Sequence, residues 1–405
     1  MKKVCRMCGG KKFSEVIDFG DNPLVNSLIS HEDLNKKEET YPLVVKRCKE
    51  CSLVQVVDNI DSHKIYKDVD YLFFSSDMPT LKEYFGNMAE EIKKRFLAQN
   101  DLVVEIGSND GVFLQHFKDG YRILGVDPAT NVVLRALKKQ IPTVPLFFSE
   151  RIAKQIVNEF GPAKVIAGSN CIAHLDDLHE LMRGVKALLS TEGVFVVECN
   201  YWGGMVSNTN YALIYHDHFS YFSVKNWVDF AQKYGMTVFD AYVTPAQGGS
   251  LRVFMDFGSR EKSINLIDLE NKEAETELNT EKTCDGYRNA VLEKALKLRQ
   301  LVEGLKLQGK RIAGYGAAAK GFSILKMAYI NEKHIDYFVD DSPAKQGKYT
   351  PVSHIPIISR KEAQVRLPDY FFITAPNYAK VIIEKEKEFL ANGGKFILED
   401  GEIIG

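Results

Sequence analysis

The sequence has no run of about 18 apolar residues, so no segment of it is long and apolar enough to cross a bilayer as a helix. It has no excess of either charge: 52 Lys and Arg stand against 54 Asp and Glu, a formal net charge of -2, which gives no global attraction for nucleic acid or lipid. No internal repeat appears beyond two halves that each run strand, glycine turn and helix, and no low-complexity tract interrupts the chain. The opening stretch "MKKVCRMCGG" carries cysteines where a secretory leader would carry an apolar core, so the expectation is a cytoplasmic protein with no membrane and no nucleic-acid partner. Cysteine is scarce and odd in number, 7 in 405 residues, which argues against a disulfide framework and for metal ligation or buried thiols. What the chain does have is a globular balance of 45% apolar and 26% charged residues. Its length exceeds one comfortable core, so two or three domains are expected.

Two C-x-x-C pairs, Cys5 with Cys8 and Cys48 with Cys51, supply four thiolates from two tight turns. That arrangement closes a tetrahedral structural zinc site and leaves no position open for a catalytic water. The stretch from Gly9 to Arg47 is longer than usual zinc-ribbon spacing, and the alternatives are four buried thiols or a redox pair at Cys5 and Cys8. A segment this short and polar has too little core to fold without a staple, which favours zinc. The other thiols, Cys171, Cys199 and Cys284, have neither pair spacing nor a neighbouring base.

The apolar run Leu102–Ile106 reads as a strand, followed by the small-residue turn Gly107-Ser108-Asn109-Asp110-Gly111 and a helix from near Val112. Gly107 allows a backbone to approach a ligand closely. About 20 residues on, a second strand ends in Asp127, placed to accept hydrogen bonds from ribose hydroxyls. The turn lacks the G-x-G-x-x-G that seats a pyrophosphate on a helix N-terminus, so a dinucleotide fits it poorly. Further strands at 164–167 and 193–199, the first leading into Asn170 and His174, alternate with helical runs. The pattern is that of an α/β fold with a parallel sheet, whose ligands collect at the carboxyl ends of the strands.

Strand, turn and distal acid resemble the S-adenosylmethionine motif of class I methyltransferases. Four blocks in order extend the resemblance over nearly the whole chain: the two cysteine pairs; "YLFFSS" followed by "EIGSNDG"; "YHDHFSYFS" with "GGSLRVF"; and "GYGAAAKGFSIL" with "VDDSPAKQGKY". In that combination the chain resembles the nucleotide-sugar C-methyltransferases that make branched-chain deoxysugars. The resemblance implies a zinc-binding domain over 1–70, a class I methyltransferase Rossmann-like sheet over 71–255, and a helical connector with a C-terminal Rossmann-like domain over 256–405. It implies S-adenosylmethionine held by Glu105, Gly107, Ser108, Asn109, Asp110 and Asn170, with Asp127 on its ribose, and a structural zinc on the four cysteines. The chain departs from the family at Asp217, where members carry glutamate, and at Gln247, where they carry histidine.

Methyl transfer to carbon needs a carbon nucleophile, and the position beside a ketone gives one when its proton is removed, so the site requires a base and an oxyanion donor. The resemblance assigns proton removal to His218, orientation of a partner or substrate hydroxyl to Asp217, and a hydrogen bond on the enolate oxygen to Tyr215, shared by His174. Tyr71 then covers the sugar. Read from residues alone, His216 and His218 alternate along a strand, one of them buried, and the aromatics pack. In "GGSLRVF", Ser250 and Arg252 are expected to grip a diphosphate. The stretch between Ser259 and Lys310 is charge-rich and mostly helical. The loop Gly314 to Lys320 imitates a dinucleotide fingerprint, and is expected instead to offer backbone amides and Lys320 to substrate phosphates. The partner is thus a nucleotide-linked sugar, with a monomer favoured. O- or N-methylation of a sugar and nicotinamide-dependent sugar reduction remain the alternative activities.

Overall fold

The computed structural model describes residues 4–24, 27–57, 60 and 74–405; Tyr71 lies outside them. The chain folds into two compact units, each drawn from three separated stretches. The first takes Met1–Ser14, Arg47–Gly204 and Phe219–Thr280, and the second takes Glu15–Lys46, Met205–His218 and Glu281–Gly405. Among the described residues no helix is long and apolar enough to cross a membrane.

The first unit is built on apolar runs that pack on both faces, as parallel strands must. Its strands are β1 (Val54–Val56), β2 (Leu102–Ile106), β3 (Arg122–Val126), β4 (Thr143–Val144), β5 (Ala163–Ser169), β6 (Leu189–Asn200), β7 (Ser220–Tyr221), β8 (Thr237–Thr244) and β9 (Ser250–Asp256). A seven-stranded sheet runs β8-β9-β6-β5-β2-β3-β4. All are parallel but β9, which is antiparallel to both of its neighbours. The chain reverses direction across the sheet between β2 and β5, which places a crevice at their carboxyl ends. One face is closed by helix α1 (Pro79–Phe96), whose Phe85, Met88 and Ile92 meet Val103, Val165 and Val194 in the core. Helices α2 (Thr130–Lys138), α3 (Glu150–Phe160), α4 (Leu178–Leu188), α5 (Val224–Gln232) and α6 (Ile264–Glu275) complete the layers. Ser149, Asp177, Ser223 and Ser263 cap four of them through side-chain oxygens.

No regular helix starts at Val112. A single 3-10 turn, Leu114–Phe117, occupies its place. Val112, Phe113, Leu114 and Phe117 are all buried, and three consecutive apolar residues cannot share one face of an α-helix. Gly120, at φ +91°, then turns the chain into β3.

The second unit contains a six-stranded sheet of β10 (Ile312–Tyr315), β11 (Phe338–Val339), β12 (Ile357–Ile358), β13 (Tyr370–Ile373), β14 (Lys395–Ile397) and β15 (Ile403–Ile404). The order β12-β11-β10-β13-β14-β15, parallel save for β15, is that of a Rossmann-like fold. Helix α7 (Glu281–Leu307) buries Tyr287, Val291, Ala295, Leu298, Val302 and Leu305 at steps of three and four, so one face of the charge-rich stretch is core. Helix α8 (Ala319–Met327) follows the glycine loop after β10.

Candidate active site

At the carboxyl ends of β2, β3 and β5 the first unit holds a cavity of about 970 Å³, open solvent at its mouth included. Gly107 forms part of its floor at φ +67°, and a Cβ there would stand 2.5 Å from Cys171 Cβ, so only glycine fits. Asn109 turns the next peptide back with φ +48° and donates its N–H to Asp127 Oδ2 at 2.9 Å. Asp127 Oδ1 accepts from Ala129 N–H, also at 2.9 Å, so the carboxylate is aimed into the cavity with a second lone pair left on each oxygen. Burial raises the pKa of this carboxyl. Asn170, at φ +56°, and His174 come from the loop after β5 and line the opposite wall.

Of the residues expected around a methyl donor, Gly107, Asn109, Asp127 and Asn170 line the cavity, whereas Glu105, Ser108 and Asp110 stand behind its lining. Glu105 is buried, and its desolvation, with the charges of Asp127 and Asp110 nearby, pushes its carboxyl well above the usual range. Asp110 faces away. It accepts from Ser76 N–H at 3.2 Å, from the Ser76 hydroxyl and from Lys139 Nζ at 2.9 Å, and so ties the Ser75–Ser76 turn to the glycine loop. Sequence inspection missed Phe147, Phe148 and Pro128, which also line the cavity, and singled out Gln247, a further lining residue, only as a departure from the family pattern. The paired aromatics just after β4 were the available signal, and Gly184 makes room for Phe148, whose ring a Cβ would meet at 2.6 Å.

In the second unit, residues 211–218 form successive turns rather than a strand, with Ile214 N–H on Tyr211 O and His218 N–H on Tyr215 O, both at 3.0 Å. His218 Nδ1 lies 2.6 Å from Leu213 O. A carbonyl only accepts, so Nδ1 carries the hydrogen and the basic lone pair is on Nε2. Nε2 is 2.8 Å from the Tyr215 hydroxyl, with the two rings 4.0 Å apart. Asp217 is buried, and desolvation pushes its carboxyl up to about 7. His216 is buried against Tyr41, with Nε2 3.1 Å from the Tyr41 carbonyl, and burial lowers its pKa, so the structure gives it a packing part.

Arg252 does not present the free two-pronged grip expected for a diphosphate. It is buried, and its N–H groups are directed at Glu198 Oε2 (2.8 and 2.9 Å), Glu91 Oε2 (3.0 Å) and the hydroxyls of Tyr84 (2.8 Å) and Tyr242 (3.1 Å). Its charge is set against the carboxylates of Glu198 on β6 and Glu91 on α1. Ser250 is likewise buried and donates to Ala246 O at 3.1 Å, fixing the Gly248-Gly249 turn. In the second unit Asp340, the acid after β11, accepts from Ala317 N–H (2.9 Å), Ser342 N–H (2.9 Å) and Lys345 Nζ (3.0 Å). The carboxylate that a dinucleotide ribose would need is therefore engaged by its own loop. Lys320 is half-buried at the start of α8, and desolvation pulls its amine down to about 8.

The four sulfurs of Cys5, Cys8, Cys48 and Cys51 lie within 4.8 Å of one another. Cys5–Cys51 and Cys8–Cys48 are 3.4 and 3.5 Å apart, close to the ~3.8 Å edge of a tetrahedron with 2.3 Å zinc–sulfur bonds. Gly10 N–H, Glu50 N–H and Gln55 Nε2 point at Cys8, Cys48 and Cys5 at 3.3, 3.4 and 3.2 Å, donors that stabilise thiolates. The donor set fits a structural zinc.

Comparison with known proteins gives three family matches that tile the chain: a zinc binding domain over 5–66, a methyltransferase domain over 81–241 and a C-methyltransferase C-terminal domain over 245–399. The C-methyltransferase NovU of Streptomyces niveus is 35% identical over 408 residues, covering 97% of this chain and 94% of that protein. Among solved structures, an S-adenosylmethionine-dependent methyltransferase from Clostridium acetobutylicum matches 45% of this chain and 94% of its own at 10% identity and a TM-score of 0.35. The magnesium protoporphyrin IX methyltransferase of Synechocystis matches 48% and 88% at 11% identity and a TM-score of 0.34.

Proposed function

This chain belongs to the C-methyltransferase family and is an S-adenosylmethionine-dependent methyltransferase, and from that premise we propose that it methylates carbon on a nucleotide-linked keto-deoxysugar, at C3 beside a C4 ketone. The observation that carries the proposal is the fixed tautomer of His218: a hydrogen pinned on Nδ1 by Leu213 O and a basic Nε2 beside a phenol. Deprotonation next to a ketone needs that pairing of a base and an oxyanion donor. The proton passes from the sugar carbon to His218 Nε2, and Tyr215, released from Nε2 as it is protonated, donates its hydrogen to the enolate oxygen. Asp217, held near neutrality by burial, keeps a proton to share with a sugar hydroxyl.

When bound, the donor's sulfonium supplies an electrophilic methyl group. In the cavity Asp127 would hold the ribose hydroxyls, Phe147 and Phe148 would offer flat apolar surface to the adenine, and Gly107 and Asn170 would border the methionine half. His174 stands on the same wall. Phe219 N–H donates at 2.7 Å to the carbonyl of Ala173, the residue before His174. The divisions 1–70, 71–255 and 256–405 are proposed to serve as staple, donor domain and nucleotide domain. Deprotonating a hydroxyl or amine for O- or N-methylation would use the same Nε2, and the product separates the two. The test is incubation of the protein and methyl donor with thymidine-, guanosine- and cytidine-linked keto-sugars: a mass gain of one methylene with a new carbon–carbon bond by NMR is expected, and a methyl ether or amine would overturn the assignment.

Lys320 gives a pH dependence. Its amine, at about 8, is charged at neutral pH and loses its charge as pH rises through that value. If it holds substrate phosphate, the KM for the nucleotide sugar should climb about tenfold between pH 7 and 9.5 and do so less in Lys320→Gln, whose KM is already high. A flat wild-type KM over this range excludes Lys320 from the phosphate site.

A further inference from the structure

Arg6 lies inside the first cysteine pair, where exposed turn residues are the rule, yet its side chain is only 4% exposed. Asp176 lies 3.1 Å from its Nε and pairs with the guanidinium. A buried cation is costly, and a leucine would pack there without that cost. What the guanidinium does is hold backbone. Nη1 reaches the Val56 carbonyl at 2.5 Å and the Phe219 carbonyl at 3.2 Å, with Gln55 Oε1 at 3.3 Å, and the guanidinium carbon sits 4.9 Å over the Phe219 ring. Gln55 in turn donates to Cys5 Sγ at 3.2 Å.

Phe219 is thereby held at both ends of its residue. Its carbonyl accepts from Val56 N–H at 3.0 Å and from Arg6, and its N–H donates to Ala173 O. Asp176, two residues past His174, takes the other side of the same guanidinium. We infer that Arg6 is a positioning residue: it clamps Phe219, the residue bonded to His218, and the 173–176 loop, so that the cysteine knuckle sets the register of the residue that takes the proton. This rests on His218 as the base. Asp176, Gln55, Val56 and Phe219, which the guanidinium holds, are not among the residues lining the cavity, so Arg6 is expected to act on turnover rather than on donor binding.

The test uses the full-length protein with Arg6→Met. Zinc content should stay at wild-type stoichiometry, and the calorimetric Kd for S-adenosylmethionine should move less than about twofold. With the keto-sugar that turns over, kcat should fall about 30-fold with little change in KM, and solvent-deuterium wash-in at the sugar carbon without the methyl donor should fall with it. By hydrogen-exchange mass spectrometry, the amides of 217–222 and 172–178 should exchange about tenfold faster while β2 and β5 stay protected. Asp176→Asn, which keeps the carbonyl contacts, should lose less than about threefold in kcat and serves if Arg6→Met folds poorly. Wild-type kcat in Arg6→Met, or a joint loss of zinc and donor affinity, overturns the inference. If no keto-sugar is methylated by the wild-type protein, the base assignment has failed instead; faster exchange at Phe219 then still supports the clamp, and unchanged exchange overturns it.

Discussion

Replacement of His218 by asparagine should lower kcat by about 10³-fold while leaving the Kd for S-adenosylmethionine within about twofold of wild type. Asparagine keeps a donor for Leu213 O, so the turn that places residue 218 should persist, and the change removes little besides the Nε2 lone pair. Tyr215→Phe should cost less, about tenfold to a hundredfold, because it removes one hydrogen bond to a developing oxyanion and leaves the base in place. The two losses should not add: once Nε2 is gone there is no enolate for Tyr215 to stabilise, so the double variant should match His218→Asn alone. If His218→Asn turns over at the wild-type rate, or if its loss is matched by loss of donor affinity, residue 218 is not the base.

How much of this was legible in the sequence follows from the range over which each feature is determined. The strand Leu102–Ile106, the left-handed Gly107 and the acid at the end of the next strand are local, and periodicity with turn chemistry located all three. The parallel character of both sheets follows from strand, turn and helix repeating along the chain, whereas their strand orders and the antiparallel β9 and β15 emerge only in the fold. Arg252 was misjudged because a lone arginine beside glycines reads as a phosphate ligand, while its partners Glu91 and Glu198 lie 161 and 54 residues away and meet it only when the sheet folds and α1 packs on it. Asp110 was placed at the donor for a similar reason: its engagement by Ser76 and Lys139 depends on how α2 packs, which the turn itself does not encode. Phe147 and Phe148 look like ordinary core residues in sequence, and only their position after β4 makes them cavity walls. The interleaving of the two compact units is also a tertiary fact, invisible to any linear division of the chain.

The cysteine cluster gives the second large effect. Cys48→Ser should abolish zinc binding and lower the midpoint of thermal unfolding by about 10 °C or more. Cys48 is fully buried, its N–H bonds Leu53 O at 2.9 Å to close the knuckle, and its sulfur faces Cys8. A hydroxyl there is a poor zinc ligand, and without the ion three thiolates would be left to repel one another inside the fold, so they protonate and the knuckle opens. The residues around it offer little else to hold the shape: Leu53, Val54 and Val56 are buried, but the neighbouring turn is lysine, glutamate and serine. The same substitution at Cys199 or Cys284, which are buried singly, should leave the zinc content unchanged. A redox pair at Cys5 and Cys8 makes the opposite forecast, a protein two mass units lighter under oxidation with no metal in either state. One zinc per wild-type chain, released by denaturation with all seven cysteines then alkylatable, would decide for the staple; a metal-free, fully stable Cys48→Ser protein would decide against it.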